Sequence, residues 1–318
     1  MPDLLEFEEP IAILLKEIEA LSLLAVSDDR DREIERLEKR VEVIRGELYT
    51  SLTPWQRVQV ARHAGRPTTL DYVERLFTDF VEIHGDRRFA DDHAIVAGPA
   101  LYKGEPIMVV GHQKGSDTKQ KIFRNFGYAR PDGYRKALRA MEIAQKFGRP
   151  IVCFVDTPAA YPGIESEERG VSEAIALNLR EMSMLEVPVI VIVHGEGGSG
   201  GALGIAVGDH ILMHEFAIYS VIPPEGCAAI LWRDAAKKVE AAAALKITAP
   251  DLLRLEVIDE IVLEPVGGAH TNPNQAAALL DVALLRSLAA VSALGVQERL
   301  DQRYAKFRKM GSVGFIEG

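Results

Sequence analysis

A chain of 318 residues exceeds the size at which one hydrophobic core usually stops growing, so a large α/β domain with an appendage, or two domains, is expected. Hydrophobic residues make up 47% and charged residues 26%, and a net charge of −10 argues against generic binding to nucleic acid. No apolar run approaches the roughly 20 residues of a membrane span, MPDLLEFEEP is acidic where a secretory signal is basic, and two cysteines, Cys153 and Cys227, are too few for a disulfide framework; a cytoplasmic protein without a membrane partner is expected.

In residues 1–52, Ile11, Leu14, Leu15, Ile18 and Leu21 recur at helical spacing, and Ile34, Leu37, Val41, Ile44 and Leu48 step by threes and fours. With the polar SDDRD between them, they predict an antiparallel helical hairpin whose second arm carries a coiled-coil seam. That seam packs on its own first arm or serves a partner. After a linking segment at 53–67 come a helix over 70–83, the GDRRFADD turn, and strands 94–102 and 106–112 joined at Lys103 and Gly104. Helix 132–147, strand 150–156, helix 172–185, strand 187–194, a short helix after a glycine run and strand 210–215 then alternate. Strands apolar on both faces and separated by helices predict a parallel sheet covered on both sides. A helix-rich stretch (227–255), a strand (257–263) and a helix (273–293) complete a domain spanning 53–296, and 297–318 reads as a charged, loosely held tail.

The glycine run is the most informative feature: VPVIVIVHGEGGSGGALGIAVG, Val187 to Gly208, places five glycines within seven residues behind a β-branched run. Residues without Cβ let a ligand approach backbone N–H groups closely, and where the run opens a helix those groups are unpaired. Three readings follow. Gly195, Gly197 and Gly200 fit G-x-G-x-x-G, with Glu215 as a ribose-binding acid. Gly197, Ser199 and Gly201 fit G-x-S-x-G, with aspartates and His270 following in a hydrolase's order. In the third reading the Gly200 and Gly201 amides form an oxyanion hole, with Gly197, Gly198 and Ser199 lining the cleft. A second strand end, the proline-rich DTPAAYPG, brings Ala160, Tyr161, Pro162 and Gly163 to the same edge of a parallel sheet, where ligands normally sit.

With both loops in hand, the chain resembles the alpha subunits of bacterial acetyl-CoA carboxylase carboxyltransferase, in the crotonase-like superfamily. The resemblance runs through LDYVERLFTDF, GDRRFADD, GHQKG, NFG, PDGYRKALR, DTPAAYPG, EERGVSEAIALNLREMS, GEGGSGGAL, PEGCAAILW and EPVGGAHTNP. One departure stands out: the family loop usually reads DTPGAYPG, and Ala159 replaces its glycine. The resemblance implies an α/β crotonase/Clp-protease-like ββα spiral fold behind the helical hairpin. It also implies a subunit active only with a beta subunit, in a heterotetramer of two of each. Together they would transfer the carboxyl group of carboxybiotin to acetyl-CoA, forming malonyl-CoA in the first committed step of fatty acid synthesis. Carboxybiotin would come on a biotin carboxyl carrier protein, charged by a biotin carboxylase. No cofactor is expected to be covalently bound here, and zinc is expected on the beta subunit only. The sequence agrees in lacking an A-M-K-M biotin site, a phosphate loop and a zinc-binding cysteine set.

Lys114, Lys119, Lys121, Arg124, Arg130, Arg135 and Lys136 form a basic stretch, either a solvated face or contacts, at Lys119, Lys121 and Arg124, to phosphate or an acidic carrier. The alternatives are a self-sufficient crotonase-like hydratase using Glu165, Glu167 or Glu168, a serine hydrolase, and a scaffold whose hairpin only holds partners.

Overall fold

Two antiparallel helices, α1 (Glu9–Ser22) and α2 (Asp28–Thr50), form the expected hairpin in a computed structural model that describes residues 4–311. Ser27 caps α2 by accepting the Arg30 N–H, and Asp28, Asp29 and Asp31 occupy the first turn at the positive end of the dipole. The seam faces the first arm, with Leu37, Val41 and Ile11 buried. At its foot the Tyr49 hydroxyl donates to Glu8, and the ring packs edge-on against Phe216 of the main body.

Two short helices, α3 (Pro54–Ala61) and α4 (Thr69–Leu76), follow. The helix expected over 70–83 therefore ends early, and Phe77 turns to extended backbone. Thr78, Val81 and Ile83 instead donate to the carbonyls of Leu101, Pro99 and Ala97. Those carbonyls lie on β1 (Ile95–Tyr102), an edge strand whose unpaired groups need partners. The hairpin with β2 (Glu105–His112) turns at Lys103 and Gly104, both at positive φ, as a two-residue turn requires.

Thereafter come α5 (Thr118–Phe123), α6 (Pro131–Lys146), β3 (Ile151–Thr157), α7 (Ile164–Glu168), α8 (Val171–Met184), β4 (Val189–Gly198) and α9 (Ser199–Leu203). The chain continues through β5 (His210–His214), β6 (Ile218–Ser220), α10 (Pro224–Trp232), α11 (Lys238–Leu245), α12 (Ala249–Arg254), β7 (Glu260–Val262), α13 (Pro273–Ser292) and α14 (Val296–Lys309). The sheet order is β1-β2-β3-β4-β5-β7, parallel from β2 onward, and β6 pairs with the far end of β4. Along β3 the side chains alternate: Ile151, Cys153 and Val155 join the α6 and α8 layer, while Val152 and Phe154 face α4 and α13.

Two expectations are corrected here. Among the described residues α13 does have the length and composition of a membrane span, but Leu280, Leu284 and Leu288 are buried in the core beneath the sheet. The expected loose tail is α14 as far as Lys309; residues 312–318 lie outside the described residues. Two of its charges, Arg299 and Arg303, face inward. Arg303, 1% exposed, pairs with Asp209 and donates to the carbonyls of Met182 and Leu185 at the end of α8, groups a helix terminus leaves without partners.

Candidate active site

The parallel strands β3 and β4 end side by side, so the two loops singled out from sequence share one sheet edge. The glycine run is not all loop. β4 continues through Gly198, its last three residues pairing with β6 rather than β5. Between Val193 and Gly197 the ladder to β3 breaks, and side chains take over its hydrogen bonds. The Asp156 carboxylate accepts the Glu196 N–H at 2.8 Å, and Arg66 donates to the His194 carbonyl at 2.7 Å.

Glycine is required here because the two loops touch through their backbones. A Cβ on Gly198 would lie 2.8 Å from the Thr157 carbonyl oxygen and nearer still to that of Pro158. On Gly201 it would lie 2.5 Å from the Ala159 carbonyl carbon and nearer still to the Ala160 nitrogen. The unusual Ala159 thus meets Gly201 with main-chain atoms. Gly200 differs: a Cβ there would meet only the Ile175 side chain at 3.6 Å, an ordinary contact.

Ser199 begins α9 at φ +51°, a conformation a non-glycine residue adopts only under constraint. No side-chain or loop carbonyl accepts from the Gly200 or Gly201 amide among the described residues, whereas the Gly200 carbonyl accepts from Gly204. The far side of α9 is fixed by two buried side chains. Tyr134 donates its hydroxyl to the Gly201 carbonyl, and Asn178 donates to the Gly204 carbonyl. A cleft of about 410 Å³ opens beside Ser199 and Gly200, walled by Leu203, Tyr219, Leu245, Val257 and Phe307. A larger cavity of about 770 Å³ lies between α12, α13 and α14 and includes no residue of either loop.

An ion network built on two buried carboxylates, Asp156 and Glu196, lies beside the loops. The Lys114 ammonium sits 2.8 Å from Asp156 and 2.6 Å from Glu196; Glu196 also pairs with Arg62, and Arg62 with Glu225. Burial works against the Lys114 charge, but Asp156 and Glu196 outweigh it and raise its pKa. Burial likewise opposes both carboxylates, yet Lys114 with His194 holds Asp156 below its ordinary value, and Lys114 with Arg62 does so for Glu196. Beside them Arg66 forks onto Glu264, whose pKa falls to about 2 against the cost of burial. His112, His194 and His214 are fully buried, and burial lowers them to about 3, 4 and 3.

The other predicted residues are placed as follows. Ser199 and Gly200 line the cleft, Gly197 is buried against the Tyr219 ring, and Gly198 and Gly201 form the contact between loops. Ala160, Tyr161 and Gly163 are half-buried and Pro162 is exposed; they stand beside the 410 Å³ cleft and do not wall it. Arg130 lies over the Tyr161 ring. The basic stretch is not one face. Lys114, Arg135 and Lys136 are consumed in inner ion pairs, and Arg124 donates to the His93 carbonyl, leaving Lys119 exposed and Lys121 half-buried on α5. Glu165, Glu167 and Glu168 are exposed on α7, away from any paired arrangement. The dinucleotide reading fails because Gly195 and Gly197 lie inside β4 and α9 has only five residues. The hydrolase reading fails at His270, which stacks on His63 at 3.8 Å and shares no hydrogen bond with Ser199. Sequence reasoning missed Asp156, Glu196, Tyr134 and Asn178. Asp156 and Glu196 carried a signal, being charged residues at the carboxyl ends of apolar strands.

Comparison with known proteins now adds to this geometry. The family described as acetyl co-enzyme A carboxylase carboxyltransferase-like matches residues 4–311. The acetyl-coenzyme A carboxylase carboxyl transferase subunit alpha of Geobacter metallireducens is 59% identical over 307 residues, 96% of each chain. That of Geobacillus kaustophilus is 57% identical over 314 residues, 98% of this chain and 97% of the other. Among solved structures, transcarboxylase 12S with methylmalonyl-coenzyme A bound superposes with a TM-score of 0.55 at 20% identity. The match covers 71% of this chain and 44% of that one, so this chain spans less than half of that protein. A Pseudomonas malonate decarboxylase hetero-tetramer in complex with coenzyme A gives 0.56 at 16% identity, over 70% and 90%. At such identities the likeness bears on the fold alone, and it is the crotonase-like fold expected from sequence.

Proposed function

Because the chain belongs to the family of acetyl-CoA carboxylase carboxyltransferase alpha subunits, we propose that its Gly200 and Gly201 amides stabilise the negative charge that develops on a substrate oxygen during carboxyl transfer. It is a carboxyltransferase subunit of a multisubunit enzyme that uses biotin carried on another subunit. In the finer reading its partners are a beta subunit, in a heterotetramer with zinc on the beta chain alone, a biotin carboxyl carrier protein and a biotin carboxylase, all in the cytoplasm. The substrate is acetyl-CoA.

The observation that supports the site assignment is the pair of adjacent N–H groups at the start of α9, with no side-chain or loop acceptor and one of them on the wall of an apolar cleft. The residues fit a flat ureido ring: donors at one end, and Leu203, Tyr219 and Phe307 to exclude water. Carboxybiotin, when delivered, supplies the carboxyl group and an oxygen that gathers charge as that group departs. The amides need no reorganisation to meet that charge, because Tyr134 and Asn178 hold α9 from behind. Ala160, Tyr161, Pro162 and Gly163 form the other lip in this reading. Lys119 and Lys121 are the cations left to meet a phosphate or an acidic carrier; Arg124 has its own partner.

The test is a matched pair of variants, co-purified with the beta subunit and assayed by malonyl-CoA-dependent carboxylation of free biotin. Gly200→Pro deletes one amide and should lower kcat by about 100-fold to 1,000-fold, the usual cost of one oxyanion donor. Gly200→Ala keeps the amide and should stay near wild type, as should Ser199→Ala. A fully active, assembled Gly200→Pro complex would refute the assignment.

A further inference from the structure

Lys114, just past the end of β2, pairs with a carboxylate at the end of each of the two strands that carry the loops. It places its ammonium between Asp156, at the end of β3, and Glu196, where the ladder from β4 to β3 is broken. Three features show a seat built for it. Gly127, at φ +82°, has no Cβ to displace the Lys114 stem, which would lie 2.7 Å away. Gly195 has none to displace the Asp156 carboxylate, 2.6 Å away at its carbon. The Asp156 oxygen that accepts from Lys114 is also the acceptor of the Glu196 N–H, so the ammonium and the strand backbone share one atom.

We propose that Lys114 is a positioning residue for carboxyl transfer, its ammonium tying the ends of β2, β3 and β4 together and so fixing the aim of the Gly200 and Gly201 amides. This rests on the assignment of those amides as the donors. The physical argument is charge balance. Without the cation, Asp156 and Glu196 face each other as two buried carboxylates, and like charges in contact either separate or share a proton. Separation moves Glu196, and with it the backbone that enters α9 three residues later. A shift of about 1 Å at a catalytic group is enough to cost about 100-fold in rate. The groups around the pair do not replace Lys114. Arg62 already serves Glu196 and Glu225, Arg66 is committed to Glu264, His112 and His194 are buried neutral, and Tyr72 keeps its proton.

The readout is kcat relative to wild type as a function of pH, in the complex with the beta subunit. Lys114→Met should lose about 100-fold at about pH 8, and the deficit should narrow as pH falls toward about 6, because one shared proton restores the balance. Adding Asp156→Asn should restore kcat at the higher pH, since the amide still accepts the Glu196 N–H and can donate to the Glu196 carboxylate. Lys114→Arg should fall between wild type and Lys114→Met. A Lys114→Met complex with wild-type kcat, or one whose loss is the same at every pH and unrelieved by Asp156→Asn, would overturn the proposal. If Lys114→Met does not assemble, the double variant decides: active supports it, assembled and inactive refutes it. Gly200→Pro distinguishes the two ideas, since full activity there removes the amide assignment whatever Lys114 does.

Discussion

A single methyl group, moved along the glycine run, should separate glycines that shape the site from one that does not. At Gly201 an added Cβ would lie 2.5 Å from the Ala159 carbonyl carbon, against about 3.4 Å for an ordinary contact, so the loops must part by roughly 1 Å. At Gly198 it would lie 2.8 Å from the Thr157 carbonyl oxygen and nearer still to that of Pro158, again backbone that cannot rotate away. Such overpacking costs about 1–3 kcal/mol, less than the roughly 5–15 kcal/mol that holds a folded domain together. The fold should survive and the geometry should not: a displacement of about 1 Å at donor amides corresponds to about 100-fold in rate. At Gly200 the methyl meets Ile175 at 3.6 Å and should cost about 0.5 kcal/mol or less.

The assay is kcat of the three alanine variants in complex with the beta subunit, with melting temperature and assembly measured beside it. Gly198→Ala and Gly201→Ala should assemble, melt slightly lower and be nearly inactive; Gly200→Ala should resemble wild type. Equal loss in all three, or full activity in Gly201→Ala, would show that loop contact does not set the donors.

Acid should destabilise the fold well before carboxylates titrate. His112, His194 and His214 are held at about 3, 4 and 3 by burial, but take up protons near 6.5 once unfolded, so stability present above that value is lost as pH falls toward the folded values. At about pH 5 each contributes a loss of about 2 kcal/mol, together lowering the melting temperature by about 9 °C relative to pH 7.5; a flat melting curve across that interval would show the three are not buried neutral. Arg303→Met leaves Asp209 buried without its partner and should cost about 3–5 kcal/mol, seen as a melting temperature lower by about 5–7 °C. Lys119→Ala with Lys121→Ala should raise KM for the carrier or for the coenzyme A substrate while kcat holds, and unchanged KM for both would remove these lysines from recognition.

The parts of this fold legible in sequence are those where burial writes itself into composition. IVCFVD and VPVIVIVH are apolar on both faces because helices cover both, and that pattern announced a parallel sheet. The misreadings share a different cause: each concerns backbone groups satisfied across long stretches of chain. Thr78 to Ile83 carry helical spacing but are drawn off by the open edge of β1. VQERLDQRYAKFRK looks like a solvated tail, yet Arg303 turns inward to carbonyls that end α8. Glycines in β4 read as a loop because their strand partner, β6, is three residues long and follows them in the chain. The candidate site lies between these cases. The proposed donors stood out because a glycine run marks their place, whereas Lys114, Asp156 and Glu196 were invisible as a group because each reads locally as an isolated charge. A main-chain donor cannot be altered by changing its own side chain alone. Its position therefore depends on whatever the backbone rests on, and in the proposed site that support comes from the missing Cβ atoms of Gly198 and Gly201 and from the paired Lys114 ammonium.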